Sequence, residues 1–268
     1  MNPIWLARNL ATSWRYRQSL RDFAARMAWM YAVRLGLTGR EWTMRFRYEP
    51  PVGDIHLLLR ANRGADAFIH SEVFEHQYYR LPLVAPPATI LDLGAHIGLT
   101  SIYLGRLFPR AQLACVEPVP DNLRLLRRNL ELNSIRGTVF AAAVDVTDGK
   151  VGMAFDTRDY GHRVAAADLL EPGKHEQVAA ISVPTICRQL DWGRIGLLKV
   201  DIEGHERVLF GGDCDWLTNV DAMCIECHDG FGEADLIALA DRYGFEPPQR
   251  LPGIWFITRA RLAAKTRD

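Results

Sequence analysis

The chain lacks a run of about 18 consecutive apolar residues, the least that a helix needs to cross a bilayer, so no membrane span is expected. Its N-terminus also lacks an uninterrupted apolar stretch ahead of a small-residue cleavage site, which argues against a cleaved secretion signal. Excess charge is missing too. The 32 Lys and Arg balance the 32 Asp and Glu, which leaves no overall field to draw the protein onto nucleic acid, and no nucleic-acid partner is expected. Number and setting argue against a disulfide framework: Cys115, Cys187, Cys214, Cys224 and Cys227 form an odd set, mostly within apolar runs. Such thiols suit a reducing, cytoplasmic location. Internal repeats and low-complexity tracts are absent.

What is present forms a core. With 49% apolar and 24% charged residues in 268, the chain fits one large domain, or a medium one with an extension. Charge is unevenly placed. Residues 1–40 hold Arg8, Arg15, Arg17, Arg21, Arg26, Arg34 and Arg40 against the single acid Asp22, a net +6 that the remainder offsets. From Leu20, apolar residues recur at Phe23, Ala24, Met27, Met30, Tyr31 and Leu35 until Gly36 and Gly39, the pattern of an amphipathic helix with an arginine-rich outer face. Three readings fit it: a solvated helix packed on the main domain, a peripheral membrane contact through residues 1–40, and an organelle transit peptide.

Runs at 43–48 and 55–60 around Pro50, Pro51, Gly53 and Asp54 read as a hairpin, and 72–79 reads as a short helix. The prolines at 82, 86 and 87 close an N-terminal extension of residues 1–87. A second unit, 88–268, alternates strands at 89–93, 112–117, 138–144, 195–201 and 222–227 with helices at 99–108, 121–133, 205–210 and 233–243. Such alternation predicts an α/β fold, mostly parallel, with helices on both faces and an antiparallel C-terminal hairpin at 254–258.

Chemistry-bearing residues gather at the predicted strand ends. In Ile90-Leu91-Asp92-Leu93-Gly94-Ala95-His96-Ile97-Gly98 a strand runs into a small-residue turn that opens a helix, a place for a nucleotide-like ligand. The turn lacks the third glycine of G-x-G-x-x-G, which favours a pyrophosphate. Glu117, at the next strand end, is placed to accept from ribose hydroxyls, or to cap the following helix. Lys199, Asp201 and Glu203 share one side of a strand by their period of two, either facing a cleft or forming an internal ion pair. Glu226 and His228 follow Cys224 with the same period. The C-x-x-C-H string there matches a haem attachment site, but cysteines inside a strand do not suit it, and no second Cys pair supports zinc.

Taken together, D-L-G-A-H-I-G, E-P, K-V-D-I-E-G-H-E and I-E-C-H, in this order, resemble the FkbM family of S-adenosylmethionine-dependent methyltransferases over about residues 65–258. His96 departs from the pattern, where the family usually has Asn. The resemblance implies a class I, Rossmann-like methyltransferase sheet. It implies that Asp92, Gly94, His96 and Gly98 hold the methionyl end of S-adenosylmethionine, that Glu117 binds ribose with Asn122 nearby, and that Ala143, Val144 and Asp145 lie against adenine. It further implies O-methylation of a hydroxyl on a sugar, a lipid-linked glycan or a secondary metabolite. A hydroxyl must shed its proton to attack, so Asp201, Glu226 and His228 are candidates for a general base and its orienting partner. Lys199 would stabilise an alkoxide or fix Asp201, while Glu203 and Glu206 would be supporting acids. A hard divalent ion on Asp201, Glu203 and Glu226 is the alternative to direct proton removal. A nicotinamide-dependent oxidoreductase, and an inactive cofactor-binding module that docks on a membrane, are the competing functions. Acceptor choice is expected to depend on the extension and on the loop 157–176, with Asp159, Tyr160, Gly161, His162 and Arg163.

Overall fold

The computed structural model describes residues 3–154, 163–165 and 175–259, with side chains described for all of these but 3–6, 154, 163–165 and 175. Two helices open the chain, α1 (Pro3–Arg15) and α2 (Leu20–Arg34). Ser19 starts α2: its hydroxyl accepts from the Asp22 N–H at 3.2 Å, satisfying a donor that would otherwise be orphaned. The second helix corrects one expectation. Arg26 does not face outward but is buried, its guanidinium paired with Glu75 and lying over the rings of Tyr16 and Phe46.

Strands β1 (Glu41–Arg47) and β2 (Asp54–Arg60) form the expected antiparallel hairpin. Helix α3 (Ala65–His70) then runs into one π turn, Ser71–Glu75, so this helix starts and stops earlier than the pattern at 72–79 suggested. Gln77, with φ of 53°, cannot continue a right-handed helix.

The remaining elements are β3 (Thr89–Leu93), α4 (Leu99–Leu107), β4 (Gln112–Val116), α5 (Pro120–Leu132), β5 (Gly137–Phe140), β6 (Ala143–Val144), β7 (Gly149–Ala154), β8 (Arg163–Ala165), β9 (His175–Ile181), α6 (Val183–Leu190), β10 (Ile195–Val200), α7 (Glu206–Gly211), β11 (Val220–Ile225), α8 (Glu233–Tyr243), β12 (Gln249–Arg250) and β13 (Trp255–Thr258). The main sheet has the order β12-β13-β11-β10-β3-β4-β5, parallel from β11 to β5, with β13 antiparallel to β11 and β12 at the edge. This is the Rossmann-like arrangement expected. Chain direction across the sheet reverses between β3 and β10, the kind of switch point where open α/β sheets leave a crevice beyond their strand ends.

Period-two alternation splits the core into two layers. Leu113 and Cys115 of β4 face a layer shared with Trp29, Phe46, Leu57 and Tyr103, whereas Ala114 and Val116 face α6 and α8 through Ile186 and Leu236. The hairpin is spliced onto α5 by side chains that imitate a neighbouring strand. Asn129 Oδ1 accepts from Leu58 N–H at 2.7 Å and its amide donates to Leu58 O at 3.1 Å, while Asn133 treats His56 in the same way at 3.0 and 2.5 Å.

The strand expected at 138–144 is broken. β5 ends at Phe140, and β6 leaves to pair with β9 in a second, four-stranded sheet of order β6-β9-β7-β8 that the hydrophobic pattern did not announce. The polar loop at 157–176 falls largely outside the described residues. No helix among the described residues is long and apolar enough to cross a membrane.

Candidate active site

The switch point gathers the chemistry-bearing residues because every parallel strand delivers its C-terminal end to one edge. Gly94 ends β3 with φ of 77°, and a side chain there would collide with the Asp201 carbonyl oxygen, so glycine alone lets the β3 and β10 turns touch. His96 also has a positive φ, 50°; its N–H donates to Glu117 Oε2 at 2.8 Å and its Nε2 lies 3.3 Å from Arg60 of β2. Glu117, buried beyond β4, also accepts at Oε1 from Val119 N–H (2.9 Å) and Asn122 Nδ2 (3.3 Å). Burial pushes its carboxyl up, against the pull of those three donors.

These residues bound a cleft. Its lining includes Gly94, His96, Glu117 and Asn122, the apolar group Ala142, Ala143, Val144 and Met153, and Asp201, Ile202, Glu203 and His205. Asp92 and Gly98 do not line it. Asp92 is wholly buried, with Oδ2 accepting from Ser101 Oγ at 2.5 Å and Oδ1 3.1 Å from Lys199 Nζ. Gly98 opens α4, where a side chain would press on Leu126. Asp145 stands behind the apolar wall, 3.0 Å from His205 Nε2.

Lys199 is 2% exposed, and its ammonium is fully engaged: it donates to Gly94 O at 2.7 Å and lies 3.1 Å from Asp92 and 3.4 Å from Asp201. Of the two uses expected for it, this geometry serves the second, the fixing of Asp201. Burial alone would lower its basicity, but Asp92 and Asp201 outweigh that and hold the ammonium charged.

Around Asp201 the acids crowd. Donor atoms of Asp201, Glu203 and His228 lie within 4.8 Å of one another. His228 Nε2 is 3.6 Å from Glu226 Oε1 and 4.0 Å from Asp201 Oδ1, while its Nδ1 meets Glu206 Oε1 at 3.0 Å. Burial disfavours the imidazolium, yet the bonds from Glu206 and Glu226 and the charge of Asp201 prevail and push His228 up to about 11. It is therefore a cation at neutral pH and cannot accept a proton there. Glu203 is pushed up to about 7 by burial and by the charge of Asp201. The trio with metal-ligand spacing contains His228 instead of Glu226.

Two residues of this site were underrated or missed. Glu206 looked like a supporting acid at a helix start; it is wholly buried and orients His228. His205 was not singled out, because its partner Asp145 is 60 residues away and no local pattern links them. The haem reading fails on packing, since Cys224 is wholly buried in β11.

The family model described as the Methyltransferase FkbM domain matches residues 92–247. "Methyltransferase 1" of Beauveria bassiana is 26% identical over 199 residues, 66% of this chain and 80% of its own length. The "31-O-demethyl-FK506 methyltransferase FkbM" of Streptomyces tacrolimicus is 26% identical over 217 residues, 69% of this chain and 83% of its own. Among solved structures, a methyltransferase FkbM from Methylobacillus flagellatus KT aligns with a TM-score of 0.45 and 13% identity over 89% of this chain and 60% of that one. With a family model spanning more than half of its length, the chain belongs to the FkbM methyltransferases.

Proposed function

We propose that the protein is an S-adenosylmethionine-dependent O-methyltransferase acting on a hydroxyl of a sugar, glycolipid or secondary metabolite. One observation carries this reading: the buried acid Glu117 and the carboxylates Asp201 and Glu203 line a single cleft. Binding residues and proton acceptors thus share one cavity. Family membership also removes the nicotinamide alternative.

The residues fit the donor. Ala142, Ala143, Val144 and Met153 offer an apolar wall for adenine, with His205 rather than Asp145 at its polar edge. Glu117 retains acceptor capacity on Oε2 for a ribose hydroxyl, and Asn122 steadies Oε1. Gly94 and His96 would border the methionyl end, while Asp92, Gly98 and Lys199 hold the turn that presents them. When bound, the donor supplies a methyl group on a sulfonium, open to in-line attack.

The chain's own task is to hold an acceptor hydroxyl in reach and take its proton. Asp201 and Glu203 face the cleft, with Glu226 behind them, and these carboxylates are the proton acceptors. His228, clamped as an imidazolium by Glu206, orients Asp201 and Glu226. General-base assistance of this kind is worth roughly 10²- to 10⁴-fold in rate.

The test is calorimetric titration with S-adenosylmethionine, followed by incubation with methyl-labelled donor and a panel of hydroxylated glycans and metabolites. Transfer of label that falls in Asp201→Asn and Glu203→Gln supports the reading. No donor binding at millimolar concentration overturns it, and undiminished turnover in both variants removes the carboxylate assignment.

A further inference from the structure

Over residues 7–15, whose side chains are described, helix α1 presents apolar groups on its exposed face. Its polar side, Asn9, Thr12, Ser13 and Tyr16, faces the body of the protein, with Ser13 buried, while Ala7, Leu10, Ala11 and Trp14 lie exposed along one face at helical spacing. Across the turn, Leu20 is 69% exposed, and the Phe23 ring meets Trp14 edge-on at 5.8 Å, which joins the ends of the two helices into one apolar surface. Leu35 and Leu37, past the far end of α2, are exposed as well. Of the ten exposed large apolar side chains among the described residues, Leu10, Trp14, Leu20, Leu35 and Leu37 lie within this single segment.

The charge around this surface is predominantly positive. Arg8, Arg15, Arg21, Arg34 and Arg40 are exposed, and the Arg17 guanidinium covers the Trp14 ring. The segment's single acid, Asp22, is bonded by Ser19, and Arg26 is turned inward to Glu75. Apolar side chains that face water, with a tryptophan among them and arginines at their rim, match the interfacial layer of an anionic bilayer. There rings and leucines enter the acyl boundary and guanidinium groups reach phosphates. A second copy of this chain is a poor occupant, since each copy would bring the same positive charge to the contact.

We propose that α1 and the start of α2 form a docking surface for an anionic lipid membrane, binding peripherally without crossing it. This surface is separate from the methyl-transfer cleft and does not depend on the reading given for that site. The test uses the full chain and co-sedimentation with vesicles of phosphatidylcholine alone or mixed with phosphatidylglycerol. Binding is expected to the mixed vesicles, weakened by salt and by Arg15→Glu with Arg21→Glu, roughly five-fold for each arginine lost. Trp14→Ser with Leu10→Ser is expected to abolish it, and Trp14→Phe to preserve it, with circular dichroism checking that each variant keeps the fold. Absence of binding to anionic vesicles at low salt overturns the proposal, as does undiminished binding in both double variants. So does a dimer in sedimentation velocity that Trp14→Ser dissolves, which would assign the face to self-association.

Discussion

Glu206 exposes no surface, yet one of its oxygens receives both His228 Nδ1 and the Ile202 N–H, tying the start of α7 to the ends of β10 and β11. That bond leads the contributions that raise His228. In Glu206→Gln the shape is kept and the charge lost, so the imidazole should titrate at lower pH and orient Asp201 less firmly. The expected result is a fall in kcat of up to about 10²-fold with acceptor KM little changed, and an alkaline limb of the pH–rate profile moved to lower pH. Glu203 makes the opposite demand, since it must lose its proton to act. Activity should therefore rise with pH through about 7, and Glu203→Gln should remove that inflection. The same group gives a stability test. Its proton is held more tightly in the folded chain than in the unfolded one, so its contribution is full below about 4.5 and is lost as pH rises through about 7. Thermal melts of wild type and Glu203→Gln between those values should show the wild type losing more.

At the scale of elements, the hairpin and the cofactor turn are joined through α5. Asn129 pairs with Leu58 of β2 and donates to Ile97 O within the glycine turn at 2.9 Å, so one amide holds an edge strand and a site loop together. Asn129→Ala leaves the Leu58 N–H and the Ile97 carbonyl without this partner, and each buried group so orphaned costs about 1–3 kcal/mol. Chemical denaturation should report a loss of about 2–6 kcal/mol for the two groups together, and donor affinity should fall as the turn loosens. Arg60 acts at the same junction, bonding Asp66 at 3.0 Å while reaching His96. This contact joins the hairpin to the glycine turn at His96.

On the scale of the molecule, the core ignores the boundary that the proline cluster marks. Trp29, Phe46 and Leu57 from residues 1–87 share a layer with Ile97, Tyr103 and Leu125 from 88–268. A chain beginning at residue 88 would expose that layer as a large apolar patch. Such a truncation is expected to aggregate or to expand, as size-exclusion chromatography and circular dichroism would show. A compact, cofactor-binding fragment would instead make the extension an independent unit. The same packing turned Arg26 inward, against the outward face its helical spacing suggested.

Alternating hydrophobicity and strand-end motifs were enough, by themselves, to determine the parallel sheet and most of the cleft. Period two sorts side chains between two faces, and parallel strands bring Gly94, Glu117, Asp201 and Glu226 to one edge whatever lies between them. Tertiary structure alone decided the rest. It set Lys199 as a buried lock, paired His228 with Glu206 and His205 with Asp145, made strand mimics of Asn129 and Asn133, and diverted the chain after Phe140 into a second sheet. Each of these depends on which side chains meet across folded elements. The charge and burial that such meetings create leave no periodic trace along the chain.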